Sequence, residues 1–452
     1  MIRRAAALAA LLFLGTGCAP RQRVGGTGTP SSGSAFARLF DAASVYRSMG
    51  FLVSGAPLPF VASVRYLRGP APDSTLGLFA LSLANQAITF RRTGDQFVAE
   101  YHVEAAFSNA SGLVRQVARD EEVRVRSFQE TVRADESVIF QQFVTLPPGV
   151  YTVQVSMRDR NGPAVARAER VDTVPRFTGR GITRPIAIYQ GEGRRQLSAL
   201  PALLVNPRAT LPYGADTLRF YVEGYGLPGD ARLVSRVVAA GDRELWRDTV
   251  AFTGLAGVAV ATVAVAPAGL PVGQAELETM SADGGDPTRT PFLVSLSSQW
   301  IVTTFDEMVS LLRYFDRMEW VDSLRKAAAG QRPELWRAFW KATDPVPITP
   351  DNEALDDYFR RVQQATLRFQ GEGEPGWMTD RGEVFITLGA PDEVFDLSSG
   401  MDRSGMRAIR WTYTIHRLVL YFLDRGGFGH FRLSPASRAE YQRVLMRVRQ
   451  SR

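Results

Sequence analysis

The residues best suited to chemistry lie close together in the run from residue 376 to residue 393, which we call the signature run. Three of its carboxylates, Asp380, Asp392 and Glu393, are candidates for general acid–base work. Two carboxyl groups placed on either side of a glycosidic bond are the machinery of most glycoside hydrolases. The run therefore carries one hypothesis, that the chain is a carboxylate-based hydrolase acting on an envelope polysaccharide.

The same run supports a second interpretation, in which it recognises a partner. Trp377 offers an aromatic face and Arg381 a guanidinium, and Asp380 and Asp392 add acceptors, so these four residues form a predicted partner-binding surface. A structural role is the alternative. Thr379 and Asp380 would then cap the turn that enters the next element, and Trp377 would pack on a helical layer.

Other kinds of active site find little support in the sequence. The signature run has no serine, histidine or cysteine, and the chain has no G-x-S-x-G, H-E-x-x-H or Walker A sequence. The stretch 371–376 fits G-x-G-x-x-G, but it follows a predicted helix and precedes a predicted strand, the reverse of a phosphate-binding loop. The histidines His102, His416 and His430 are far apart in sequence. We therefore expect no metal and no cofactor.

The N-terminus predicts export. Arg3 and Arg4 form a basic segment, residues 5–14 are apolar and too short to cross a bilayer, and residues 15–17 are small. Residues 1–17 are thus a predicted signal peptide. Cys18 follows and is the one cysteine of the chain, so no disulfide can form within it.

The segment from Leu14 to Cys18 resembles a bacterial lipobox, which implies that Cys18 carries lipid. Leu14 lies four residues before the cysteine, where the pattern has three, so a plain secretory signal is the alternative. Diacylglycerol with a further acyl chain such as palmitate exceeds the two signals that stable anchoring needs. Because Ala19 follows the cysteine, the resemblance favours the outer membrane facing the periplasm. The inner membrane and the cell surface stay open.

Residues 18–40 are rich in Gly, Pro, Ser, Thr and Arg and predict a flexible tether.

The formal net charge is +7, but only two of the 53 basic residues are lysines, Lys326 and Lys341. This bias is typical of a GC-rich genome. The arginines of the chain are scattered among acids and build no basic groove, so we expect no nucleic-acid partner.

Most of the remaining chain predicts β-structure. Apolar and polar residues alternate in segments such as 97–105, 123–126 and 151–155, and turn residues separate them. This pattern begins near Val45 and favours an antiparallel β-sandwich at residues 41–178, with a second one at residues 179–297. Leu146-Pro147-Pro148-Gly149 and Leu270-Pro271-Val272-Gly273 each precede an aspartate at the same spacing, and the motif resembles an edge of bacterial immunoglobulin-like modules. The two blocks are predicted repeats.

The pattern changes near Trp300, and residues 298–452 predict an α+β domain. Thr304 and Glu307 form a capping box for a helix to about Ala328, Pro333 starts a second, and Thr349-Pro350 a third. Strands are expected at 384–388, 409–415, 418–423 and 428–433, before a short last helix from Ser434-Pro435. The fold class is thus mainly β: two immunoglobulin-like sandwiches, then a helical layer on a small antiparallel sheet.

Motifs of this third segment resemble the bacterial GWxTD-domain family. They are the Gly-Trp-Met-Thr-Asp sequence at 376–380 with neighbouring stretches at 339–345, 349–353, 358–362, 411–413 and 422–429. The resemblance implies an envelope lipoprotein but no established activity. We expect a protein anchored through lipid that binds or scaffolds an envelope protein or polymer through this domain. The sequence favours a non-enzymatic role without excluding the hydrolase, and it leaves the oligomeric state open.

Overall fold

The structure is a computed structural model that describes residues 42–133, 138–214, 217–239, 241–254, 257–266, 269–296, 302, 304–347, 352–370, 374–397 and 407–450. The predicted signal peptide, Cys18 and the tether lie outside these ranges. Within them, no helix has both the length and the apolar character required to cross a bilayer. The predicted fold class is confirmed: two immunoglobulin-like sandwiches precede an α+β region.

The first sandwich packs two sheets around an apolar core. One sheet has the order β1-β2-β3-β7; in the other, β6-β5-β8-β9 are neighbours and β4 pairs with β5. A four-residue helix, α2, precedes β7. The elements are β1 Leu52–Ser54, β2 Phe60–Arg68, β3 Thr75–Leu83, β4 Arg91–Thr93, β5 Gln96–Asn109, β6 Gly112–Val125, α2 Phe128–Thr131, β7 Val138–Leu146, β8 Gly149–Asp159 and β9 Val165–Val174.

The expectation of strand periodicity from Val45 onward is wrong at its start. Helix α1, Ala42–Ser48, comes first, and it buries Val45 and Tyr46 in a core that the second sandwich shares with the C-terminal region. The Tyr46 hydroxyl lies 2.9 Å from the Thr210 hydroxyl of that sandwich. Contacts distant in sequence therefore select the helix over the local alternation.

The second sandwich also has two sheets. In one, β12-β11-β14-β17 are neighbours and β10 extends along β14; the other has the order β16-β15-β18-β19-β13, and its last pair is parallel. The strands are β10 Gly181–Ile182, β11 Ile186–Glu192, β12 Ala202–Val205, β13 Thr210–Pro212, β14 Leu218–Tyr225, β15 Arg232–Ala239, β16 Arg243–Ala251, β17 Ala259–Val265, β18 Gly273–Ser281 and β19 Thr288–Ser295.

The two sandwiches share a strand order. The neighbours β6-β5-β8-β9 of the first correspond to β16-β15-β18-β19 of the second, and β2-β3-β7 correspond to β11-β14-β17. The two Leu-Pro motifs end at equivalent positions, because Gly149 opens β8 and Gly273 opens β18. Both glycines have positive φ, 154° and 122°. This agreement supports the predicted repeat.

A polar and apolar interface joins the sandwiches. Leu67 and Leu78 of the first share a buried cluster with Ile188, Val205 and Tyr221 of the second. The side chain of Gln141 in β7 donates to the Leu203 carbonyl at 2.5 Å and accepts from the Val205 N–H at 3.1 Å. The side-chain amide of Gln141 thus pairs with the backbone of β12 as a neighbouring strand would.

A fully buried ion pair lies at the same interface. Arg194 and Glu223 form two hydrogen bonds of 2.9 and 2.8 Å, and neither side chain is exposed. Glu223 also accepts from the Tyr221 and Tyr225 hydroxyls, at 2.8 and 2.5 Å. Arg194 also donates to the backbone carbonyl of Arg68 in the first sandwich at 2.6 Å. The Tyr225 hydroxyl accepts from the backbone N–H of the same residue at 2.8 Å.

The C-terminal region packs helices against an antiparallel sheet of order β20-β21-β22-β23. Its aromatic core is continuous with that of the second sandwich. The elements are α3 Phe305–Leu311, α4 Met318–Lys326, α5 Arg332–Thr343, α6 Glu353–Arg368, α7 Asp380–Leu388, β20 Glu393–Asp396, β21 Arg407–Tyr413, β22 Leu418–Asp424, β23 Arg432–Leu433 and α8 Pro435–Gln450.

Five local expectations need correction in this region. The predicted helix to Ala328 breaks between α3 and α4, where Phe315 turns its backbone to extended angles and buries its ring. Asn352 caps α6 with its side chain, whereas Thr349-Pro350 lie outside the described residues. The segment 384–388 is helical, and the strand expected at 428–433 is reduced to β23. The last helix is long, with 16 residues.

Candidate functional site

The first half of the signature run builds the start of helix α7. Residues Gly376–Met378 form one 3₁₀ turn, and Thr379 is the N-cap. The buried Thr379 hydroxyl donates to the Gly376 carbonyl at 2.8 Å and accepts from the Gly382 N–H at 3.0 Å. A threonine N-cap satisfies a backbone donor that the helix itself leaves open. Thr379 therefore fixes the junction between turn and helix.

The two glycines of this junction permit close backbone contact. A Cβ at Gly382 would lie 2.0 Å from the Gly376 carbonyl oxygen, and a Cβ at Gly376 would lie 2.5 Å from the carbonyl oxygen of Ala365 in α6. Both distances are far below van der Waals contact. Neither glycine has positive φ, so close packing rather than backbone conformation requires glycine at these two positions. They let the 3₁₀ turn lie directly against α6 and α7.

Trp377 is buried, with 2% of its surface exposed. Its ring packs edge-on against Tyr314 at a centroid distance of 6.2 Å, and the Arg313 guanidinium lies 5.8 Å from its centroid. The indole therefore cannot contact a partner across the folded surface. The prediction that Trp377 belongs to a partner-binding surface needs correction, because the 3₁₀ turn points the ring into the helical layer.

Asp380 is also occupied within the fold. Its carboxylate accepts from the Leu433 N–H at 2.7 Å and pairs with Arg438 at 2.6 Å, with Arg432 at 3.6 Å. These partners belong to β23 and α8. The side chain thus joins the start of α7 to the last strand and the last helix of the domain.

Arg381 is half-buried between two aromatic rings. Its guanidinium lies 5.0 Å from the Phe369 ring and 4.5 Å from the Phe431 ring. Such contacts stabilise a cation on the faces of aromatic rings. The guanidinium of Arg381 therefore packs within the fold, and only its exposed portion could contact a partner.

The other two candidate acids lie beyond the opposite end of α7. Asp392 is exposed and accepts from the Thr414 N–H at 2.6 Å, while Glu393 is exposed at the start of β20. The nine residues of α7 place roughly 13 Å of helix between Asp380 and these acids. Asp380 is therefore not brought together with Asp392 or Glu393 around one bond.

The structure instead reveals a cleft in the same domain. It has a volume of about 550 Å³ and lies between the α3–α4 connection, the end of α5, α6 and the last turn of α7. Tyr358, Ile386 and Thr387 belong to its inner lining. Its charged lining residues are Asp316, Arg317, Asp344, Glu353, Asp357 and Arg361.

Acids outnumber arginines in this lining. Arg361 pairs with Asp357 and also donates to the Ile386 carbonyl at 3.3 Å, so this cation is held in place by its neighbours. Asp344 accepts from the Val346 N–H at 2.9 Å. Asp316 faces Arg449 of α8 at 3.8 Å. Four carboxylates and two guanidiniums line the cleft beside its aromatic surface, and this excess of carboxylate suits a cationic group.

Sequence reasoning missed this cleft because its residues come from four separate segments. A partial signal was present: Glu353, Asp357 and Arg361 recur at helical spacing and share one face of α6. The break after Phe315, which brings Asp316 and Arg317 to the cleft, has no comparable signal.

The histidines lie in separate places. His102 contacts Asp120 at 2.8 Å on the first sandwich, and this hydrogen bond together with Arg160 lowers the pKa of Asp120. His416 precedes β22 and His430 follows it, so the whole strand separates them. Among the described residues, no group of three or more His, Cys, Asp or Glu side chains is arranged to hold a metal ion. Residues 371–373 of the G-x-G-x-x-G stretch lie outside the described residues.

Comparison with protein families gives one match, to the GWxTD domain, over residues 279–417. The match begins inside β18, includes the whole cleft and the signature run, and ends before β22. The similarity noted for residues 422–429 lies outside it. A comparison with curated proteins gave no match.

Among solved structures, the chain is similar at low level to two larger proteins. Red sea bream transglutaminase shows 11% identity and a TM-score of 0.15, with 52% of this chain and 31% of that one covered. Trypsin-activated alpha-2-macroglobulin from Escherichia coli shows 11% identity and a TM-score of 0.18, with 56% and 18% covered. The chain thus spans less than a third of either.

Proposed function

We propose, from the premise that residues 279–417 form a GWxTD domain, that this chain is a lipid-anchored envelope protein that binds or scaffolds an envelope protein or polymer. The cleft of about 550 Å³ carries the proposal. It is large enough for a side chain or a small ligand, and it is built entirely from residues of the matched domain. The excess of carboxylates in its lining favours a partner that presents a cationic group.

The first half of the signature run is engaged in holding the fold together, which does not favour a catalytic role for it. Thr379 and Asp380 use their side chains to hold α7 in place, and Trp377 lies in the core. The hydrolase hypothesis needs two carboxyl groups that share one cleft, about 5 to 10 Å apart. The separation of Asp380 from Asp392 and Glu393 by the length of α7 removes the support that these three acids gave to that hypothesis.

The rest of the chain suits a spacer. The two sandwiches share a buried cluster, the Gln141 bridge and the Arg194–Glu223 pair, so they join through specific contacts. Lipid on Cys18, the proposed tether and this double sandwich would hold the GWxTD domain at a distance from the outer membrane, on its periplasmic side.

Site-specific photo-crosslinking in cells tests the binding role. A benzophenone amino acid at Ala342, in the lining of the cleft, should give a discrete adduct that is absent when the probe replaces the exposed Leu113 on the first sandwich. Adding Asp344→Asn and Asp316→Asn should reduce the adduct, because both changes remove negative charge from the cleft. Equal labelling from both probe positions would refute a binding site in the cleft.

The anchor has its own test. Labelled palmitate should enter the wild-type chain and not a Cys18→Ser variant, and globomycin should block maturation of the wild type. Membrane fractionation would then show whether the mature chain sediments with the outer membrane. Maturation that is unchanged by globomycin would refute lipidation.

A further inference from the structure

A tightly held loop follows strand β22. Asp424 is buried, with 1% of its surface exposed. Its carboxylate accepts from the Gly426 N–H at 3.2 Å and from the Gly429 N–H at 2.7 Å. Burial alone raises the pKa of Asp424, but the backbone N–H groups of residues 426–429 outweigh it and bring the pKa below its ordinary value. The charged carboxylate thus organises the whole loop.

This loop presents an aromatic ring to solvent. Phe428 is 81% exposed, although burying such a ring would be favourable. An isolated exposed phenylalanine needs no explanation. Here, however, the ring borders a groove of about 480 Å³ between the loop, β22 and the start of α8.

The groove has an apolar floor and a basic rim. Leu423, Leu433 and Pro435 lie in its lining with Phe428, and Arg425, His430 and Arg432 are exposed around them. Arg432 also pairs with Glu374 at 2.7 Å. Among the lining residues, Asp424 is the one acid, and its oxygens are already used by the loop. The groove therefore favours negative charge, unlike the cleft described above.

We propose that this groove binds a segment of a partner protein in which an apolar side chain stands next to a carboxylate. Leu423, Leu433 and Phe428 would bury the apolar side chain. Arg425 would receive the carboxylate through the paired N–H groups of its guanidinium, because Arg432 already pairs with Glu374 and Asp380. Aromatic and arginine side chains around a concave pocket are the composition of binding hot spots. The concave shape favours a protein segment over a flat lipid surface.

The groove lies outside residues 279–417, so this site is separate from the cleft and does not depend on the function proposed for it. A partner of the cleft and a partner of the groove would differ in charge. Variants of the two sites can therefore be tested independently.

Fluorescence anisotropy with labelled synthetic peptides tests the proposal on the full chain. A peptide of alternating Leu and Glu should bind roughly tenfold more tightly than one of alternating Leu and Lys, or of alternating Ser and Glu. Phe428→Ser and Arg425→Gln should each weaken binding of the Leu–Glu peptide by about tenfold. Phe128→Ser is the matched control, because Phe128 is a 66% exposed phenylalanine on the first sandwich.

Three results would overturn the proposal. The first is equal binding of the Leu–Glu and Leu–Lys peptides, and the second is binding of the Leu–Glu peptide that Phe428→Ser leaves unchanged. The third is failure of the Leu–Glu peptide to bind while phosphatidylglycerol vesicles bind in a manner that requires Phe428, which would assign the groove to anionic lipid. Thermal unfolding of each variant, measured in parallel, should match that of the wild type because both changed side chains are exposed.

Discussion

The carboxylate of Asp380 accepts a hydrogen bond of 2.7 Å from the backbone N–H of Leu433, 53 residues further along the chain. The same carboxylate pairs with Arg438 in α8. The aspartate that ends the Gly-Trp-Met-Thr-Asp sequence is therefore a tie between the first turn of α7 and the C-terminal end of the domain. Its position in the fold explains why a residue suited to catalysis is better interpreted as structural.

Replacing Asp380 should therefore destabilise the domain. In Asp380→Ala, the Leu433 N–H and the Arg438 guanidinium lose this acceptor. We expect the free energy of unfolding to fall by about 2 kcal/mol, less than for a fully buried ion pair because solvent screens the partly exposed Arg438. Urea denaturation followed by circular dichroism measures the change. The control Glu393→Ala, at an exposed strand position, should stay within about 0.5 kcal/mol of wild type. Equal stability of the two variants would contradict this role.

The glycines of the signature run should be similarly intolerant of a methyl group. Gly382→Ala places a Cβ 2.0 Å from the Gly376 carbonyl oxygen, so the backbone must move, and we expect a loss of roughly 3 kcal/mol or failure to fold. Gly330→Ala is the control, because nothing lies within 4 Å of a Cβ there and its φ is not positive. It should be neutral or slightly stabilising. A Gly382→Ala variant as stable as Gly330→Ala would show that the junction yields easily.

The strands of the sandwiches were predictable because each buries one face. Alternation places Tyr151, Val153 and Val155 in the core, and the equivalent pattern recurs in the second sandwich. Helix α7 was predictable only in part. Val384, Phe385 and Ile386 are consecutive and all buried, so this apolar run is indistinguishable from a buried strand. Thr379 gave the one local sign of a helix start.

Long-range polar contacts left no trace in the sequence pattern. Arg194 stands in a stretch of turn residues and looks like one more solvated arginine, yet it is buried against Glu223, 29 residues away. The cleft depends likewise on the packing of segments that are distant in sequence. Local periodicity carries no information about which distant charge a side chain meets, and it therefore identified the fold class but missed both features.

The Arg194–Glu223 pair makes a further prediction about stability. Arg194→Met leaves the Glu223 carboxylate buried without its cation, which should cost about 3–5 kcal/mol. Arg194→Met combined with Glu223→Gln should recover roughly 2 kcal/mol of this loss, because no buried charge remains. The amide oxygen of glutamine can accept from one of the two tyrosine hydroxyls, and its NH2 group can donate to the other. Urea denaturation of both variants measures the difference. A double variant less stable than Arg194→Met alone would refute the argument.

The buried tyrosines predict that the protein loses stability in alkali. Burial raises the pKa of Tyr213 and of Tyr314 to about 12, and it raises those of Tyr221, Tyr225, Tyr358 and Tyr441 further. In the unfolded chain a tyrosine ionises near pH 10. Above that pH the unfolded state binds fewer protons than the folded state, so stability is complete below about pH 10 and falls as the pH rises.

Tyr358 allows the size of this effect to be measured, because it is buried in the helical layer and burial is the main cause of its raised pKa. Between about pH 10.5 and 12, its ionisation in the unfolded state alone should contribute about 1.4 kcal/mol per pH unit to the slope of unfolding free energy against pH. Tyr358→Phe should remove this contribution. The variant also loses the 2.6 Å hydrogen bond to the Leu311 carbonyl, but that loss lowers stability at every pH and leaves the slope unchanged. Urea denaturation at stepped pH gives the slope, and absorbance at 295 nm should show that wild-type tyrosines ionise fully only on unfolding. Equal slopes for both chains would mean that Tyr358 ionises in the folded state.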